Sequence, residues 1–159
     1  MAVTLRPITS ETVCRVTDLT VRPDQRRFVA SNAISLAEAL FTPEAWYRAI
    51  HRDEELVGFV MLHDESLRDP MPEKPRAFLW RFMIDARFQA SGIGRAALTR
   101  VVEHVSAKRL FPVLQVSFVP GEGGQEGFYL RYGFRPTGLM EDGEPILELP
   151  LTPMSSPRA

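Results

Sequence analysis

The stretch from Pro75 to Phe111 constrains the fold more than any other part of this chain. Its first part, Ala77 to Ile84, is an apolar and aromatic run of strand length. A turn-like segment, DARFQASG, follows, and after it apolar residues recur with the period of an amphipathic helix. The sequence therefore predicts a strand, a glycine-bearing turn and then a helix. The apolar stripe of that helix consists of Ile93, Ala97, Val101 and Val105, with Leu98 and Val102 beside them.

The turn before this helix has the chemistry of an anion-binding site. The first N–H groups of a helix have no partner within the helix, and the helix dipole adds partial positive charge at the same place. Gly92 and Gly94 lack a β-carbon, so a bulky anion can approach the backbone closely. We therefore predict that the turn binds a phosphate group.

Two other interpretations of the same glycines are open at this point. Residues 92–97, GIGRAA, fit the dinucleotide-binding pattern G-x-G-x-x-A, which requires an acidic residue about 20 residues further on. No acid occurs between Glu103 and Glu122, and too little sequence follows for a doubly wound sheet. The other interpretation is a glycine-bearing helix start that binds no ligand, and a lone motif fits it equally well.

Two motifs together resemble a known superfamily. Residues 89–94, QASGIG, match the Q/R-x-x-G-x-G/A signature of the GNAT superfamily of acetyl-CoA-dependent N-acetyltransferases. Residues 127–134, GFYLRYGF, resemble its second signature, a helix ending in FY-x-K/R-x-GF. The resemblance covers nearly the whole chain. It is closest to the bacterial spermine/spermidine acetyltransferase-like branch, which has stretches similar to residues 23–39 and 79–85.

The resemblance implies an α/β (α+β) GNAT fold: a mixed central sheet of about seven strands with four helices, in which strands 4 and 5 splay apart. The patterning of the residues predicts the same element order, β-α-α-β-β-β-α-β-α-β-β, within a single domain of residues 1–159. The predicted strands are 3–8, 46–51, 56–63, 77–84, 113–119, 134–139 and 146–151. The predicted helices cover 11–19, a segment around 34–40, a segment from 93, and one ending at Arg131, with a frayed tail at 152–159.

Composition narrows the class of protein further. A net charge of −1 gives no reason to expect nucleic acid or an anionic membrane as a partner. No apolar run approaches the ~20 residues of a membrane span, and the N-terminus lacks a signal-peptide layout. The one cysteine, Cys14, has no internal disulfide partner, and no Cys/His spacing indicates a metal. We therefore expect a cytoplasmic enzyme with a buried or idle thiol and no metal.

Acetyl-CoA is the cofactor that the resemblance implies. The strand residues Phe82, Met83 and Ile84 are then expected to pair with the pantetheine arm of coenzyme A through main-chain groups. The N–H groups from Gln89 to Arg95 are expected to bind the pyrophosphate. The expected coenzyme-binding residues are Phe82, Met83, Ile84, Gln89, Ala90, Ser91, Gly92, Ile93, Gly94, Arg95, Glu122, Phe128 and Arg131. Close relatives have asparagine where this chain has Glu122, so a weaker contact is expected there.

Two groups are the candidate catalytic residues. Tyr129 occupies the place of the tyrosine that acts as general acid in many GNAT enzymes, and a phenol with a pKa of about 10 stays protonated at neutral pH. A main-chain N–H freed by the splayed strands, from Met83 or a neighbour, is expected to polarise the thioester carbonyl. The general base is not defined by the sequence. The better-known eukaryotic spermidine/spermine enzyme has adjacent acids where this chain has Trp80 and Arg81.

The acceptor site is the least defined part of the sequence. By resemblance, the two N-terminal helices form one wall of it, which makes Phe28, Asn32 and Glu38 candidate substrate contacts. Trp80 is a candidate for a cation–π contact with an ammonium group. Asp85 is a candidate proton relay, and capping of the following turn is the alternative.

We therefore predict an N-acetyltransferase that transfers acetyl from acetyl-CoA to a primary amine of a small molecule, with a polyamine as the first hypothesis. Another acceptor, such as an aminoglycoside, an amino acid or a protein amine, is an alternative, as is a sensor that binds acetyl-CoA without turnover. Dimers are common in the family, so a homodimer is also a hypothesis, although no segment marks an interface.

Overall fold

A computed structural model describes residues 1–151, and the tail prediction for 152–159 lies outside the described residues. Four α-helices and seven strands follow the predicted order. The strands are β1 (Val3–Arg6), β2 (Ala45–Arg52), β3 (Glu55–Asp64), β4 (Ala77–Ile84), β5 (Val113–Ser117), β6 (Arg135–Glu141) and β7 (Glu144–Pro150). The helices are α1 (Val13–Asp18), α2 (Asn32–Ala39), α3 (Ile93–Ala107) and α4 (Glu126–Tyr132).

The seven strands form one mixed sheet in the order β1-β2-β3-β4-β5-β7-β6. Neighbours are antiparallel except β4 and β5, which are parallel. The β4–β5 pairing extends only from Ala77–Leu114 to Leu79–Val116, although β4 continues to Ile84. The two strands therefore part after Leu79, and the second half of β4 has a free edge. The predicted fold class and the splayed fourth and fifth strands are confirmed.

A β-bulge lies where the strands part. Met61 of β3 pairs with Arg81 and the next residue, Leu62, pairs with Leu79, so Trp80 is the extra residue on β4. A bulge bends its strand and increases the local twist. The irregularity therefore bends β4 at the point where it leaves β5.

Apolar side chains cover both faces of the sheet. The larger core contains α3, through Ile93, Ala97, Leu98, Val101 and Val105, together with Tyr129 of α4. The smaller core, on the opposite face, joins Val16 of α1 to Phe59, Met61 and Met83. The stripe predicted for the central helix is the buried stripe, and this packing fixes the start of α3 next to the end of β4.

The structure differs from the sequence-based prediction mainly at element ends. Helix α1 is shorter than the predicted 11–19, and the N–H of Thr9 donates to the Thr12 side chain in the turn before it. Ser31 caps α2, accepting from the N–H of Ile34. Three single turns of 3₁₀ helix lie outside the predicted helices and strands, at Pro23–Gln25, Glu65–Leu67 and Ala86–Phe88. Within the described residues, no helix is long and apolar enough to cross a membrane.

Candidate active site

Two cavities meet at the free edge of β4. We call the first the glycine-side cavity: it has a volume of about 630 Å³ and is lined by Ile84, Gly92, Gly94 and Phe128, among others. We call the second the hairpin-side cavity: it has a volume of about 530 Å³ and is lined by Trp80, Ser117, Tyr129 and Glu144, among others. Phe28, Val29, Phe82 and Gln125 line both cavities. The splayed strands therefore form a passage with one opening at the glycine turn and the other beside the β6–β7 hairpin.

The glycine turn presents free donors to its cavity. Gly92 precedes α3 with a φ of 82°, and no side chain among residues 1–151 caps the helix. The first helical hydrogen bond runs from the N–H of Ala96 to the carbonyl of Gly92, and the N–H groups of residues 92–95 have no acceptor in the described part of the chain. A β-carbon on Gly94 would lie 3.5 Å from the Phe128 ring. These features fit a diphosphate, which needs converging N–H donors and room close to the backbone.

The free edge of β4 exposes the main-chain groups of Phe82 and Ile84. The Gln125 side chain donates to the Phe82 carbonyl (3.1 Å), and the Gln89 side chain donates to the Ile84 carbonyl (2.9 Å). Alternate residues of an antiparallel strand direct their N–H and C=O groups to opposite sides. The Met83 carbonyl accordingly lies against Gly58 of β3. The free N–H groups therefore belong to the neighbours of Met83 and not to Met83 itself, which leaves the neighbours as the candidates for the polarising amide.

Tyr129 is buried next to the meeting point of the two cavities. Its side chain is 2% exposed and lines the hairpin-side cavity. Its ring packs against Phe128 and Phe134, each at 5.4 Å between centroids. The hydroxyl makes no hydrogen bond with any residue of the 1–151 segment, and burial raises the pKa of the phenol above its usual value. A protonated hydroxyl is therefore available to a group bound in the cavity.

A bridge joins two loops beside the hairpin-side cavity. The Arg27 guanidinium donates to the Glu122 carbonyl (3.1 Å) and lies 4.3 Å from the centre of the Phe28 ring. The Phe28 ring packs against Gly124. Glu122 takes part through its main chain, and its exposed carboxylate lines neither cavity. The sequence carried no signal for Arg27 because its partner lies 95 residues away.

Most of the predicted coenzyme-binding residues line the glycine-side cavity. Ile93 does not, because its side chain belongs to the core, and Ser91 directs its hydroxyl to the Phe88 carbonyl (2.7 Å). Gln89 lines the cavity and also hydrogen-bonds Gln25, a residue that the sequence did not single out. The residues from the prediction that line this cavity are Phe82, Met83, Ile84, Gln89, Ala90, Gly92, Gly94, Arg95, Phe128 and Arg131.

The predicted acceptor residues divide into two groups. Phe28 and Trp80 line the hairpin-side cavity. Asn32 does not: it is buried and donates to the Val16 carbonyl (2.9 Å). Glu38 binds the Arg81 guanidinium at 3.2 Å.

Asp85 also lies outside both cavities. Its buried carboxylate caps the 3₁₀ turn that follows β4, accepting from the N–H groups of Thr20 and Arg87 and from the Arg87 guanidinium. Burial alone would raise the pKa of this carboxyl, but these hydrogen bonds outweigh burial and hold the pKa below its usual value. Capping, the alternative to a proton relay, is therefore the interaction that the geometry shows.

The hairpin-side cavity contains charged groups that the sequence did not single out. Glu141, Asp142 and Glu144 come from the β6–β7 turn, and the Ser117 hydroxyl hydrogen-bonds Glu144 (3.2 Å). Glu65, another acid of this cavity, binds Arg76 and Arg68. The edge of the His63 ring faces Trp80 at 5.9 Å between centroids. No local motif joins these residues, because they come from four separate segments.

Comparison with known proteins identifies the family. The model of the acetyltransferase (GNAT) family matches residues 28–134, which is more than half of the chain. The chain is 24% identical to the spermine/spermidine N(1)-acetyltransferase of Bacillus subtilis (strain 168), over 92% of this chain and 97% of that protein. The chain belongs to the GNAT family of acetyltransferases, and its cofactor is acetyl-CoA.

Solved structures support the fold assignment. An acetyltransferase from Thermus thermophilus has a TM-score of 0.72 at 20% identity, covering 95% of this chain and 98% of that one. An aminoglycoside acetyltransferase in complex with coenzyme A has a TM-score of 0.73 at 14% identity, covering 94% of this chain and 95% of that one. At these identities, the likeness establishes the fold.

Proposed function

We propose that the protein acetylates a primary amine of a small molecule by direct attack of the amine on acetyl-CoA, with Tyr129 as the general acid. One observation carries this proposal: the hydroxyl of the buried residue Tyr129 has no hydrogen-bond partner in the described chain, and Tyr129 lies next to the point where the two cavities meet. One cavity has a diphosphate-binding turn, and the other contains the carboxylates of the β6–β7 turn, which suit a cationic acceptor.

The glycine-side cavity would hold the coenzyme. The N–H groups of residues 92–95 bind the pyrophosphate, and Arg95 and Arg131 add positive charge. The free main-chain N–H groups of Phe82 and Ile84 would pair with the pantetheine arm and with the reacting carbonyl, which one of them would polarise. When bound, acetyl-CoA supplies the acetyl group as a thioester.

Tyr129 holds the proton that the departing sulfur needs. A buried phenol with a raised pKa stays protonated throughout the neutral range, so it donates readily only to a strongly basic group. Burial would likewise raise the pKa of the departing thiol of coenzyme A, which would take this proton, and the proton that the attacking amine loses would restore the phenol. The phenol is therefore a general acid and not a base in this proposal.

A polyamine is the first choice of acceptor. The similarity to a spermine/spermidine acetyltransferase and the three acids of the β6–β7 turn both favour an acceptor with several positive charges. An aminoglycoside is the second choice, since it is also a polycation. An amino acid or a protein amine is a weaker alternative within the same reaction class.

Thiol release from acetyl-CoA over a panel of amines tests the function. The panel contains spermine, spermidine, kanamycin, alanine amide and a peptide with a free N-terminus. We expect turnover with the polyamines and a fall in kcat of about 100-fold in Tyr129→Phe, with unchanged acetyl-CoA affinity. Tyr132→Phe is the matched control, because the Tyr132 hydroxyl binds Thr99 and lines neither cavity.

Two outcomes would reject parts of this proposal. Full turnover in Tyr129→Phe would remove the general-acid role. Tight acetyl-CoA binding without turnover of any amine would favour the sensor. A cytoplasmic location and a homodimer stay predictions, and sedimentation of the purified protein checks the second.

A further inference from the structure

Glu144 occupies a defined position at the end of the β6–β7 hairpin. It is the first residue of β7 and pairs with Glu141, the last residue of β6, across the Asp142–Gly143 turn. Both turn residues have positive φ, 50° and 80°, as a tight two-residue hairpin turn requires. The Ser117 hydroxyl, on β5, hydrogen-bonds the Glu144 carboxylate at 3.2 Å. The carboxylate is therefore held against β5 by a rigid turn and a hydrogen bond.

This position lies where the sheet opens. Val116 is the last β5 residue that pairs with β4, through Leu79, and Ser117 follows it. Ser117 is thus level with the bulged residue Trp80, at the start of the gap between the strands. Ser117, Trp80, Glu144 and the buried Tyr129 all line the hairpin-side cavity. The Glu144 carboxylate and the Tyr129 hydroxyl therefore belong to one binding space.

The neighbours of the Glu144 carboxylate are acidic, and no basic side chain of the described chain neutralises its charge. Directly opposed side chains of an antiparallel pair lie on the same face, and like charges there are destabilising. Glu144 is opposed by Glu141, has Asp142 beside it, and forms no ion pair within residues 1–151. Four arginines line the cavity. Arg76 binds Glu65, Arg81 binds Glu38 and Arg27 binds the Glu122 carbonyl, while Arg26 forms no ion pair with Glu144 or any other acid of the described chain.

We propose that Glu144, positioned by Ser117, binds an ammonium group of the acceptor. The ligand class is an alkylammonium: its N–H groups donate to the carboxylate, and its charge relieves the repulsion between Glu144 and Glu141. This rests on the proposed function and adds to it a specificity-determining residue. It also explains how a site without acids on β4 selects an amine, because the carboxylate comes from β7 instead.

The test compares isosteric variants of the two opposed acids. Glu144→Gln keeps the shape and removes the charge, and Glu141→Gln removes a charge of the same turn that has no hydrogen bond to Ser117. We expect Glu144→Gln to raise KM for spermidine about 10- to 100-fold, with a smaller change in kcat. Glu141→Gln should change KM only a few-fold, and Glu144→Asp should restore part of the loss.

A second measurement does not depend on turnover. Calorimetric titration of spermidine and of kanamycin into the protein loaded with coenzyme A reports acceptor binding directly, and acetyl-CoA affinity in Glu144→Gln should match the wild type. Hydroxylamine, which is uncharged at mildly alkaline pH, serves as the neutral nucleophile. Its KM should not respond to Glu144→Gln.

Each result decides between the proposals. Equal losses of spermidine affinity in Glu144→Gln and Glu141→Gln would show a diffuse negative field and overturn the specific site. An unchanged KM for spermidine in Glu144→Gln would also overturn it. So would a wild-type protein that binds neither spermidine nor kanamycin. Binding that depends on Glu144 without any turnover would keep the ammonium site and reject the acetylation. Turnover that is unchanged in Glu144→Gln would keep the acetylation and reject the ammonium site.

Discussion

Gln125, at the start of α4, donates its side-chain amide to the main-chain carbonyl of Phe82 on β4, at 3.1 Å. This bond joins the helix that carries Tyr129 to the free edge of β4, and both Gln125 and Phe82 line the two cavities. Because β5 has already left β4 at this point, it supplies no main-chain donor for that carbonyl. A side chain from a different element takes its place.

Removal of the Gln125 amide should therefore weaken the protein. Gln125→Ala leaves a part-buried carbonyl without its donor, and we expect a loss of about 1 kcal/mol in the free energy of unfolding. Denaturant titration measures it. Gln115→Ala is the matched control, because Gln115 lies on β5 and its side chain makes no hydrogen bond within the described residues. A loss of the same size in the control would contradict this account.

A carboxylate placed at Gly92 should compete with the coenzyme. A β-carbon there meets nothing within 4 Å, and Asp tolerates the positive φ better than most residues. The side chain of Gly92→Asp can cap the free N–H groups of α3 and repel the pyrophosphate. We expect acetyl-CoA affinity to fall about 10-fold or more, measured by calorimetry.

Gly92→Asn separates charge from shape in this experiment. Asn has the same size as Asp and the same tolerance of positive φ, but it has no charge. The acetyl-CoA affinity of Gly92→Asn should therefore lie between those of the wild type and Gly92→Asp. Both variants should keep nearly the wild-type melting temperature, because the new side chain caps the helix. Equal affinities in all three proteins would exclude phosphate binding at this turn.

Loss of the Arg27 bridge should affect both substrates. The guanidinium joins the loop after Pro23–Gln25 to the carbonyl of Glu122 beside the hairpin-side cavity. We expect Arg27→Ala to raise KM for acetyl-CoA and for the amine a few-fold each, because both cavities share Phe28, on which Arg27 lies. Arg26→Ala, next in sequence and without such a bridge in the described chain, should change acetyl-CoA binding little. Steady-state kinetics with each substrate varied in turn checks this.

The Asp64–Lys108 pair should govern stability in acid. Asp64 is fully buried and accepts from Lys108 and from both the N–H and the hydroxyl of Ser66. Burial alone would raise the pKa of the Asp64 carboxyl, but these partners outweigh burial and hold it below its usual value. The folded state therefore binds this proton less tightly than the unfolded state, and the stabilisation is present above about pH 4 and is lost as pH falls through the folded pKa.

Lys108→Met tests this pH dependence of stability directly. Without the ammonium group, burial prevails over the remaining hydrogen bonds, so we expect a loss of about 3 kcal/mol at neutral pH that narrows as the pH is lowered. Denaturant titrations at a series of pH values measure it. Lys74→Met removes an exposed lysine and should follow the wild-type curve. A Lys108→Met curve parallel to the wild type at all pH values would be inconsistent with a buried, charge-paired Asp64.

Periodicity and turn chemistry predicted the helices and strands well wherever their position depends on residues of one short segment. The stripe from Ile93 to Val105 is buried along its length, and α4 ends at Tyr132, one residue after the predicted Arg131, with Gly133 as its C-cap. Helix α1 is shorter than its pattern indicated because Thr9 and Thr12 bond each other in a preceding turn. Asn32 and Asp85, polar and near the expected acceptor site, are buried by structural hydrogen bonds that the sequence does not reveal.

By itself, the sequence determined the strand, glycine turn and helix from Ala77 to Ala107 and, through two motifs, the family and its acetyl-CoA cofactor. These features depend on residues close together in the chain, so spacing and side-chain type suffice to reveal them. Only the tertiary structure decided that Phe82 and Ile84, and not Met83, offer the free main-chain groups, and that Ser117, Tyr129 and Glu144 share a cavity. The side to which a strand residue directs its N–H depends on its pairing partner, and three segments converge only after the sheet has formed and opened.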